Sequence, residues 1–309
     1  MGKFKGYILA AFAAAAYGTN PAFAIPLYEN GMNPNSVLLF RYCIGVPFLA
    51  ILMKIRGLDF SLKKEEGIPV FVLGVLMALS SLTLFDSYNY MNSGVVSTLL
   101  FVYPVMVAVI MTFFFRESVR ASLILCFIFM GAGLMLLMRP DGNGGINAHG
   151  FLLVMVSALT YAIYIVLVNG SKAISRIPTT KLLFYVLISG CSVFLFKMAV
   201  GTELTLPVKT SGWYNLVALA IIPTVLSLAC TSAAIHLIGS TPTAIFGALE
   251  PVTAVILSVA FLGQSISAQE IAGGVLIVIA TTIVVASPSV DKFILHVRKM
   301  FPKNLHGAQ

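Results

Sequence analysis

Charged residues are scarce in this chain. Asp, Glu, Lys and Arg make up 10% of its 309 residues, while hydrophobic residues make up 59%. Soluble globular domains carry about 25% charged residues. The mean hydropathy is +0.99, so a water-soluble fold would lack the polar surface to cover its own core. The shortage of charge excludes an ordinary soluble protein and predicts an all-α integral membrane protein.

Cysteines and catalytic motifs are also few. The four cysteines fall in apolar stretches without paired or metal-ligand spacing (Cys43, Cys126, Cys191 and Cys230). We interpret them as small buried or lipid-facing residues, and we expect neither a disulfide nor a bound metal. The sequence contains no HExxH, GxSxG or phosphate-binding-loop motif, and its short loops leave no room for an ATP-binding domain. We therefore expect no enzyme and no cofactor.

Long apolar runs, in contrast, fill most of the sequence. A helix needs about 20 apolar residues to cross a bilayer, and the charges and the Gly, Pro, Asn and Ser clusters divide the chain into ten such segments. The predicted transmembrane helices lie roughly at 6–28, 36–55, 68–90, 95–115, 121–138, 149–168, 181–200, 213–236, 242–262 and 270–287. Several loops between them are very short, so we expect neighbouring spans to be antiparallel.

Lysine and arginine are distributed unevenly between the loops. With ten spans and a cytoplasmic N-terminus, 15 of the 19 lie on the cytoplasmic side, three lie outside, and Arg41 lies within a span. This bias is typical of cytoplasmic loops. It predicts a multi-pass protein of the cell membrane with both termini in the cytoplasm. The net charge of +8 then reflects topology, and we expect the lipid bilayer, not a nucleic acid, as the partner.

The two halves of the chain resemble each other. A shift of 147 residues aligns Pro104 with Pro251, and a shift of 144 residues aligns Tyr17 with Tyr161. Because each half has an odd number of spans, the second half must enter the membrane inverted relative to the first. Inverted repeats are a common architecture of secondary transporters, in which two halves move around a central site.

The repeat also predicts how the chain is divided. The predicted parts are a first five-helix repeat at 1–140, a Gly-rich linker at 141–148, a second five-helix repeat at 149–288 and a basic cytoplasmic tail at 289–309. The tail has apolar residues at helical spacing beside basic ones. It lies on the anionic inner leaflet in one interpretation and is a frayed basic end in the other.

Four sequence stretches carry a resemblance to a known family. They are AYGTNPAFAI, LLFRYCIG, SGVVSTLLFVYPVMVAVIMTFFFRESV and its counterpart GSTPTAIFGALEPVTAVILSVAFLGQSISAQEIAGGVLIVIATTIVV. They resemble the EamA-type ten-helix carriers of the drug/metabolite transporter superfamily, and the resemblance implies a secondary transporter that exports its substrate. Two residues depart from the family pattern: Tyr17 stands where tryptophan is frequent, and Gln264 where glutamate is frequent. The substrate of any one member is therefore not transferred.

Glu250 is a carboxyl in the middle of the ninth predicted span. It lies about nine residues, or roughly 13 Å, into the span, and burial at that depth favours the neutral form of a carboxyl. Three interpretations remain open at this point. Glu250 couples proton movement to transport, or it binds the amine of a substrate, or it is a neutral acid bonded to a carbonyl that Pro251 leaves free.

Arg41 and Asp86 are ionisable residues predicted to lie at one depth. Arg41 is about five residues from the outer end of the second span, and Asp86 about four residues from the outer end of the third. Opposite charges at one depth tend to pair, so we expect contact between them. The pair would serve as a static link between two helices, or as a substrate-binding pair or outer gate.

Two matching helices are interrupted by proline. Tyr103 precedes Pro104 as Glu250 precedes Pro251, and the Asn20–Pro21 step interrupts the first span. Paired interruptions of this kind indicate a central binding site. We therefore predict a site lined by side chains that lie at or within one turn of these breaks: Tyr17, Asn20, Tyr103 and Glu250. For the two tyrosines, simple aromatic packing is the alternative.

These features together predict a function. We expect a secondary carrier that moves a small polar metabolite, an amino acid or a derivative, across the cytoplasmic membrane. Glu250 would meet the amine of this substrate and Arg41 the carboxylate. The alternatives are a carrier for drugs or sugar derivatives and an intramembrane enzyme that modifies lipids. The enzyme would need Asp86, Glu250 and His236 to converge, although they lie at different predicted depths.

Overall fold

The computed structural model describes residues 2–114, 121–137, 147–171, 173, 174, 176–238, 243 and 246–285, and its elements are helices throughout these ranges. The helices are α1 Gly2–Gly18, α2 Asn20–Glu29, α3 Pro34–Ile55, α4 Lys64–Ser87, α5 Ser93–Leu100, α6 Tyr103–Phe114, α7 Ala121–Leu137, α8 Ala148–Gly170, α9 Thr179–Ala199, α10 Thr210–Ala220, a π-helix Ile221–Leu226, α11 Ser227–Ile238, α12 Leu249–Leu262 and α13 Ala268–Val285.

Seven helical segments in the described ranges are long and apolar enough to cross a membrane. They correspond to α1–α2, α3, α4, α5–α6, α8, α9 and the continuous run from α10 through α11. Shorter apolar helices (α7, α12 and α13) occupy the other three predicted spans. The all-α multi-pass fold is therefore confirmed, and the count of ten spans stays a prediction. The Gly-rich sequence at 141–145 and the basic tail at 289–309 lie outside the described residues.

Helix packing has the same pattern when the two halves are exchanged. Helix α1 packs on α11, and their counterparts in the repeat, α8 and α4, also pack on each other. Likewise α1 packs on α12, as α8 packs on α6. Three further pairs join helices at equivalent positions of the two repeats, namely α3 with α9, α5 with α12 and α7 with α13. The fold therefore consists of two interlocked repeats with equivalent contacts.

Each of the three predicted proline interruptions lies in the first turn of a helix that follows a break. Helix α1 ends at Gly18 and α2 begins at Asn20, while α5 ends at Leu100 and α6 begins at Tyr103. A turn at residues 247 and 248 precedes α12, so Glu250 lies in the first turn of that helix. Proline is tolerated in a first turn because the backbone N–H that it lacks would have no intrahelical partner there.

The freed backbone carbonyls at these breaks are satisfied by side chains. Thr19 Oγ1 donates a hydrogen bond to the carbonyl of Ala16 at 2.6 Å, and Asn20 Nδ2 donates to the carbonyl of Tyr17 at 2.8 Å. At the second break, Thr281 Oγ1 donates to the carbonyl of Phe101 at 3.1 Å. Without water in the bilayer core, such bonds allow a helix to be interrupted at membrane depth.

The eighth predicted span contains a π-helix that we did not predict. Its six residues, Ile221–Leu226, include Pro223, which cannot donate a backbone hydrogen bond. Thr224 Oγ1 donates instead to the carbonyl of Leu219 at 3.2 Å. Single turns of π-helix are frequent at functional sites, and the proline inside this span was the available sequence signal.

Polar contacts join the two repeats on the predicted outer side. The backbone N–H of Asn33 donates to Thr205 Oγ1 at 2.9 Å, and the backbone N–H of Thr205 donates to Ser36 Oγ at 2.9 Å. At the other outer loops, Gln264 Oε1 accepts hydrogen bonds from the backbone N–H of Ser93 at 3.1 Å and from its hydroxyl at 2.9 Å. Gln264, a departure from the family pattern, thus links the repeats.

A second set of contacts joins the repeats on the predicted cytoplasmic side. Lys181 Nζ at the start of α9 lies 2.6 Å from Asp59 Oδ1 in the loop after α3. Arg56 Nη1 donates to Thr180 Oγ1 at 3.0 Å. The hydrogen bond from Lys181, followed by one from Ser61, lowers the pKa of the Asp59 carboxyl. The loop between α3 and α4 is therefore tied to the opposite repeat by charge.

Replacing Asp59 by Asn should destabilise the protein at neutral pH and have little effect in acid. Because the pKa of Asp59 is lower in the folded chain, its ion pair stabilises the fold above the ordinary aspartate pKa of about 3.9 and is lost as the pH falls through the folded value. The measurement is the difference in melting temperature between the parent protein and Asp59→Asn in detergent, from pH 7 down to pH 3.

Glu65→Gln provides the control for this prediction. Glu65 is exposed in the first turn of α4, on the same side of the membrane, and has no ion-pair partner within the described part of the chain. Its substitution should change the melting temperature little at any pH. A difference for Asp59→Asn that stays constant across the pH range would contradict the stabilising ion pair.

Candidate functional site

The break in the first repeat's leading span and the start of α12 are in direct contact. A Cβ atom placed on Gly18, the last residue of α1, would lie 2.5 Å from the carbonyl oxygen of Glu250 and 2.8 Å from Thr253 Cβ. Only glycine allows the two backbones to approach this closely. Tyr17, at the end of α1, is therefore the neighbour of the residue that touches the Glu250 backbone.

Four tyrosines lie in the neighbourhood of Glu250. Tyr17, Tyr88, Tyr103 and Tyr161 all lie within electrostatic reach of its carboxyl. The rings of Tyr103 and Tyr161 meet edge to face, with centroids 4.8 Å apart. Because Tyr103 aligns with Glu250 and Tyr161 with Tyr17, each repeat contributes one equivalent pair to the cluster.

Tyr88 and Tyr161 were not among the predicted lining residues. The repeat comparison had aligned Tyr161 with Tyr17, so a symmetric reading of the site would have included it. Tyr88 lies just after α4, at the predicted outer end of the third span, and no pattern in the sequence marked it. Its position depends on how the outer end of α4 packs in three dimensions.

Glu250 has no partner for its charge within the described part of the chain. Its side chain is partly exposed, and the described residues provide neither a hydrogen-bond donor nor an ion-pair partner to its carboxyl oxygens. A carboxyl that is surrounded by protein and lacks a partner is costly unless a ligand, a proton or water satisfies it. The side chain is therefore placed to bind a donor that enters the site.

Asn20 contributes an unsatisfied acceptor. Its side chain is only 3% exposed, and its Nδ2 donates to the carbonyl of Tyr17. Its Oδ1 is buried without a hydrogen-bond partner in the described chain. An unsatisfied buried acceptor costs about 1–3 kcal/mol, so a donor from a ligand would stabilise this position.

The predicted contact between Arg41 and Asp86 is wrong. Asp86 Oδ2 lies 3.7 Å from Lys197 Nζ of α9, whereas Arg41 Nε donates to Thr224 Oγ1 of the π-helix at 2.9 Å. The two helices have different neighbours, since α4 packs on α9 while α3 also packs on α10 and the π-helix. These different neighbours direct the charges to different partners.

A cleft of about 240 Å³ lies beside the site, between α5, α12 and α13. Its lining is apolar apart from Thr98 and Glu270, and both of these are already hydrogen-bonded. Thr98 donates to the carbonyl of Gly94, and Glu270 Oε2 accepts from the backbone and hydroxyl of Ser267 in a capping box at the start of α13. Ile256, Ile271 and Val275 on its rim are exposed and apolar, so the cleft is poorly suited to a polar substrate.

The architecture and this site define a class of protein. Two repeats with equivalent packing, interrupted at matching positions around an unpaired carboxyl, are the arrangement of a membrane transporter. The chain belongs to the EamA-like transporter family, whose model matches residues 4–139 and 148–286.

Individual relatives agree with this assignment. The chain is 23% identical over 251 residues to the uncharacterized transporter YdfC of Bacillus subtilis, with 80% of each chain covered. It is 27% identical over 209 residues to the uncharacterized transporter YvbV of the same bacterium, with 65% of each covered. A protein crystal structure superposes with a TM-score of 0.67 at 17% identity, covering 94% of this chain and 98% of the other. This last similarity shows the fold alone.

Replacing Gly18 by Ala should damage both folding and transport. The added methyl group would push α1 away from the backbone of Glu250, and overpacking of this kind costs about 1–3 kcal/mol. The measurements are the melting temperature in detergent and substrate flux in proteoliposomes. Gly67→Ala is the control, since a Cβ there meets nothing within 4 Å. Equal stability of the two variants would contradict the close approach of α1 and α12.

Proposed function

We propose that this protein is a secondary carrier that moves a small polar metabolite, an amino acid or an amino-acid derivative, outward across the cytoplasmic membrane by alternating access. The observation that carries the proposal is the carboxyl of Glu250, which is unpaired within the described chain and lies within electrostatic reach of four tyrosines. A substrate ammonium satisfies the carboxylate with a charge-assisted hydrogen bond. The tyrosine rings add cation–π attraction to the same group.

The packing of the two repeats supports alternating access. The site lies where the repeats meet, and polar contacts join them on both predicted sides of the membrane. If the repeats tilt relative to each other, one set of contacts opens while the other is kept. The central side chains then become accessible from one side at a time.

Proton coupling follows from the chemistry of a single carboxyl. Glu250 holds either a proton or the substrate ammonium, because both compete for the same oxygens. A proton that enters from the outside therefore displaces the substrate there, and release of that proton to the cytoplasm prepares the carboxyl for the next substrate. Inward proton flow thus drives outward substrate movement in the proposed cycle.

Glu250→Gln should abolish the dependence of transport on a pH gradient. The amide keeps the size of the side chain but can neither exchange a proton nor pair with an ammonium, so we expect counterflow of amino acids to fall about tenfold or more. The measurement is counterflow in proteoliposomes with a panel of labelled amino acids and derivatives, with and without a pH gradient.

Glu270→Gln is the matched control. Glu270 lies in the capping box of α13, where a glutamine side chain can replace glutamate. The control therefore carries the same Glu-to-Gln change at a structural position. This variant should keep its flux and its pH profile. Unchanged flux and pH profile in Glu250→Gln itself would overturn the proposed role of this carboxyl.

A further inference from the structure

Arg41 is a buried cation without a counter-ion among the described residues. Its side chain is 6% exposed, and no carboxylate of the described residues lies within ion-pair distance of it. The acid predicted to neutralise it, Asp86, is paired with Lys197 instead. Burial of an unpaired guanidinium costs several kcal/mol, so an arrangement that keeps Arg41 in this state needs an explanation.

The contacts of Arg41 hold the side chain without using its full hydrogen-bonding capacity. Its Nε donates to Thr224 Oγ1 at 2.9 Å, and its guanidinium carbon lies 5.5 Å from the centre of the Phe85 ring. Arginine has five N–H donors. The four on the two terminal nitrogens have no hydrogen-bond acceptor among the described residues. The fork of the guanidinium therefore remains available to a ligand.

Two tyrosines connect this cation to Glu250. Tyr17 and Tyr88 each lie within electrostatic reach of both Arg41 and Glu250. Among the described residues, an unpaired cation and an unpaired carboxyl are thus both within electrostatic reach of the same two tyrosines. Such a pair of opposite, separated charges is complementary to a molecule that carries an ammonium at one end and an anion at the other.

We propose that Arg41 binds the carboxylate of the transported substrate, so that the carrier selects zwitterions over the corresponding amines. This inference rests on the proposed function, in which Glu250 receives the ammonium. The planar guanidinium fork matches a carboxylate with two parallel hydrogen bonds. An amine without a carboxylate leaves Arg41 unpaired and is repelled by its charge.

The π-helix gives Thr224 a positioning role in this recognition. The Thr224 hydroxyl donates to the carbonyl of Leu219, which leaves its oxygen lone pairs directed to Arg41 Nε. Because Thr224 belongs to the second repeat and Arg41 to the first, the carboxylate subsite is assembled across the repeat boundary. Movement of the repeats relative to each other would therefore change the distance between Thr224 and Arg41 while the substrate crosses the membrane.

The experiment compares amino acids with their decarboxylated amines. Transport of alanine, leucine and phenylalanine is measured beside ethylamine, isoamylamine and phenethylamine in proteoliposomes that contain the parent protein, Arg41→Gln, Arg41→Lys or Thr224→Val. We expect the parent protein to favour each transported amino acid about tenfold or more over its amine. In Arg41→Gln this ratio should fall to near one through loss of amino-acid transport, with Arg41→Lys and Thr224→Val intermediate.

Arg56→Gln is the matched control, because Arg56 makes one hydrogen bond, to Thr180, on the predicted cytoplasmic side. Its ratio should equal that of the parent protein. If Arg41→Gln loses transport of amino acids and of amines equally, Arg41 is a structural cation and the inference is overturned. The proposed function survives that result as long as transport still depends on Glu250. If the parent protein moves neither class of compound, the proposed function itself fails.

A second measurement needs no variant and covers the case in which Arg41→Gln does not fold. Methyl esters of the same amino acids lose the carboxylate charge and keep the ammonium when esters and acids are compared at a mildly acidic pH at which the amines of both are protonated. They should compete with labelled amino acid about tenfold or more weakly than the free acids in the parent protein. Competition of esters and acids with equal potency would overturn the inference.

Discussion

The bilayer core contains no water to satisfy a free backbone group, and this constraint shapes every distinctive feature of the protein. A helix can be interrupted at membrane depth only where neighbouring side chains accept or donate the missing bonds. Thr19 and Asn20 do so in the first repeat, and Thr281 of the second repeat does so for the break before Tyr103. The breaks that create the central site are therefore maintained by bonds within and between the repeats.

Charge is placed under the same constraint. The ion pairs seen in the described chain, Asp59 with Lys181 and Asp86 with Lys197, lie towards the ends of helices. Glu250 and Arg41 lie deeper and have no ionic partner among the described residues. Within the described chain neither charge is neutralised by the other or by a nearby helix, and a binding partner for each would offset the cost of burying it.

Much of this could be predicted from sequence, because proline and charge have local consequences. Proline lacks an N–H wherever it lies, so Pro21, Pro104 and Pro251 marked the breaks, and the repeat identified Glu250 and Tyr103 as equivalent. The predicted contact between Arg41 and Asp86 was wrong because the position of a residue within a span indicates its depth in the membrane but not the neighbouring helix that it faces. The position of Tyr88 depends on packing between distant segments, which no local pattern contains, whereas Pro223 was a local signal for the π-helix.

The repeats are equivalent in packing but not in chemistry, since Tyr103 stands where the second repeat has Glu250. A phenol exchanges no proton in the physiological range, so the proposed cycle has one titratable group and moves one proton per turnover. A zwitterion carries no net charge, and each exchange therefore transfers one positive charge inward. The membrane potential would contribute about 2.3 kcal/mol per 100 mV to every molecule exported, and transport would generate a measurable current.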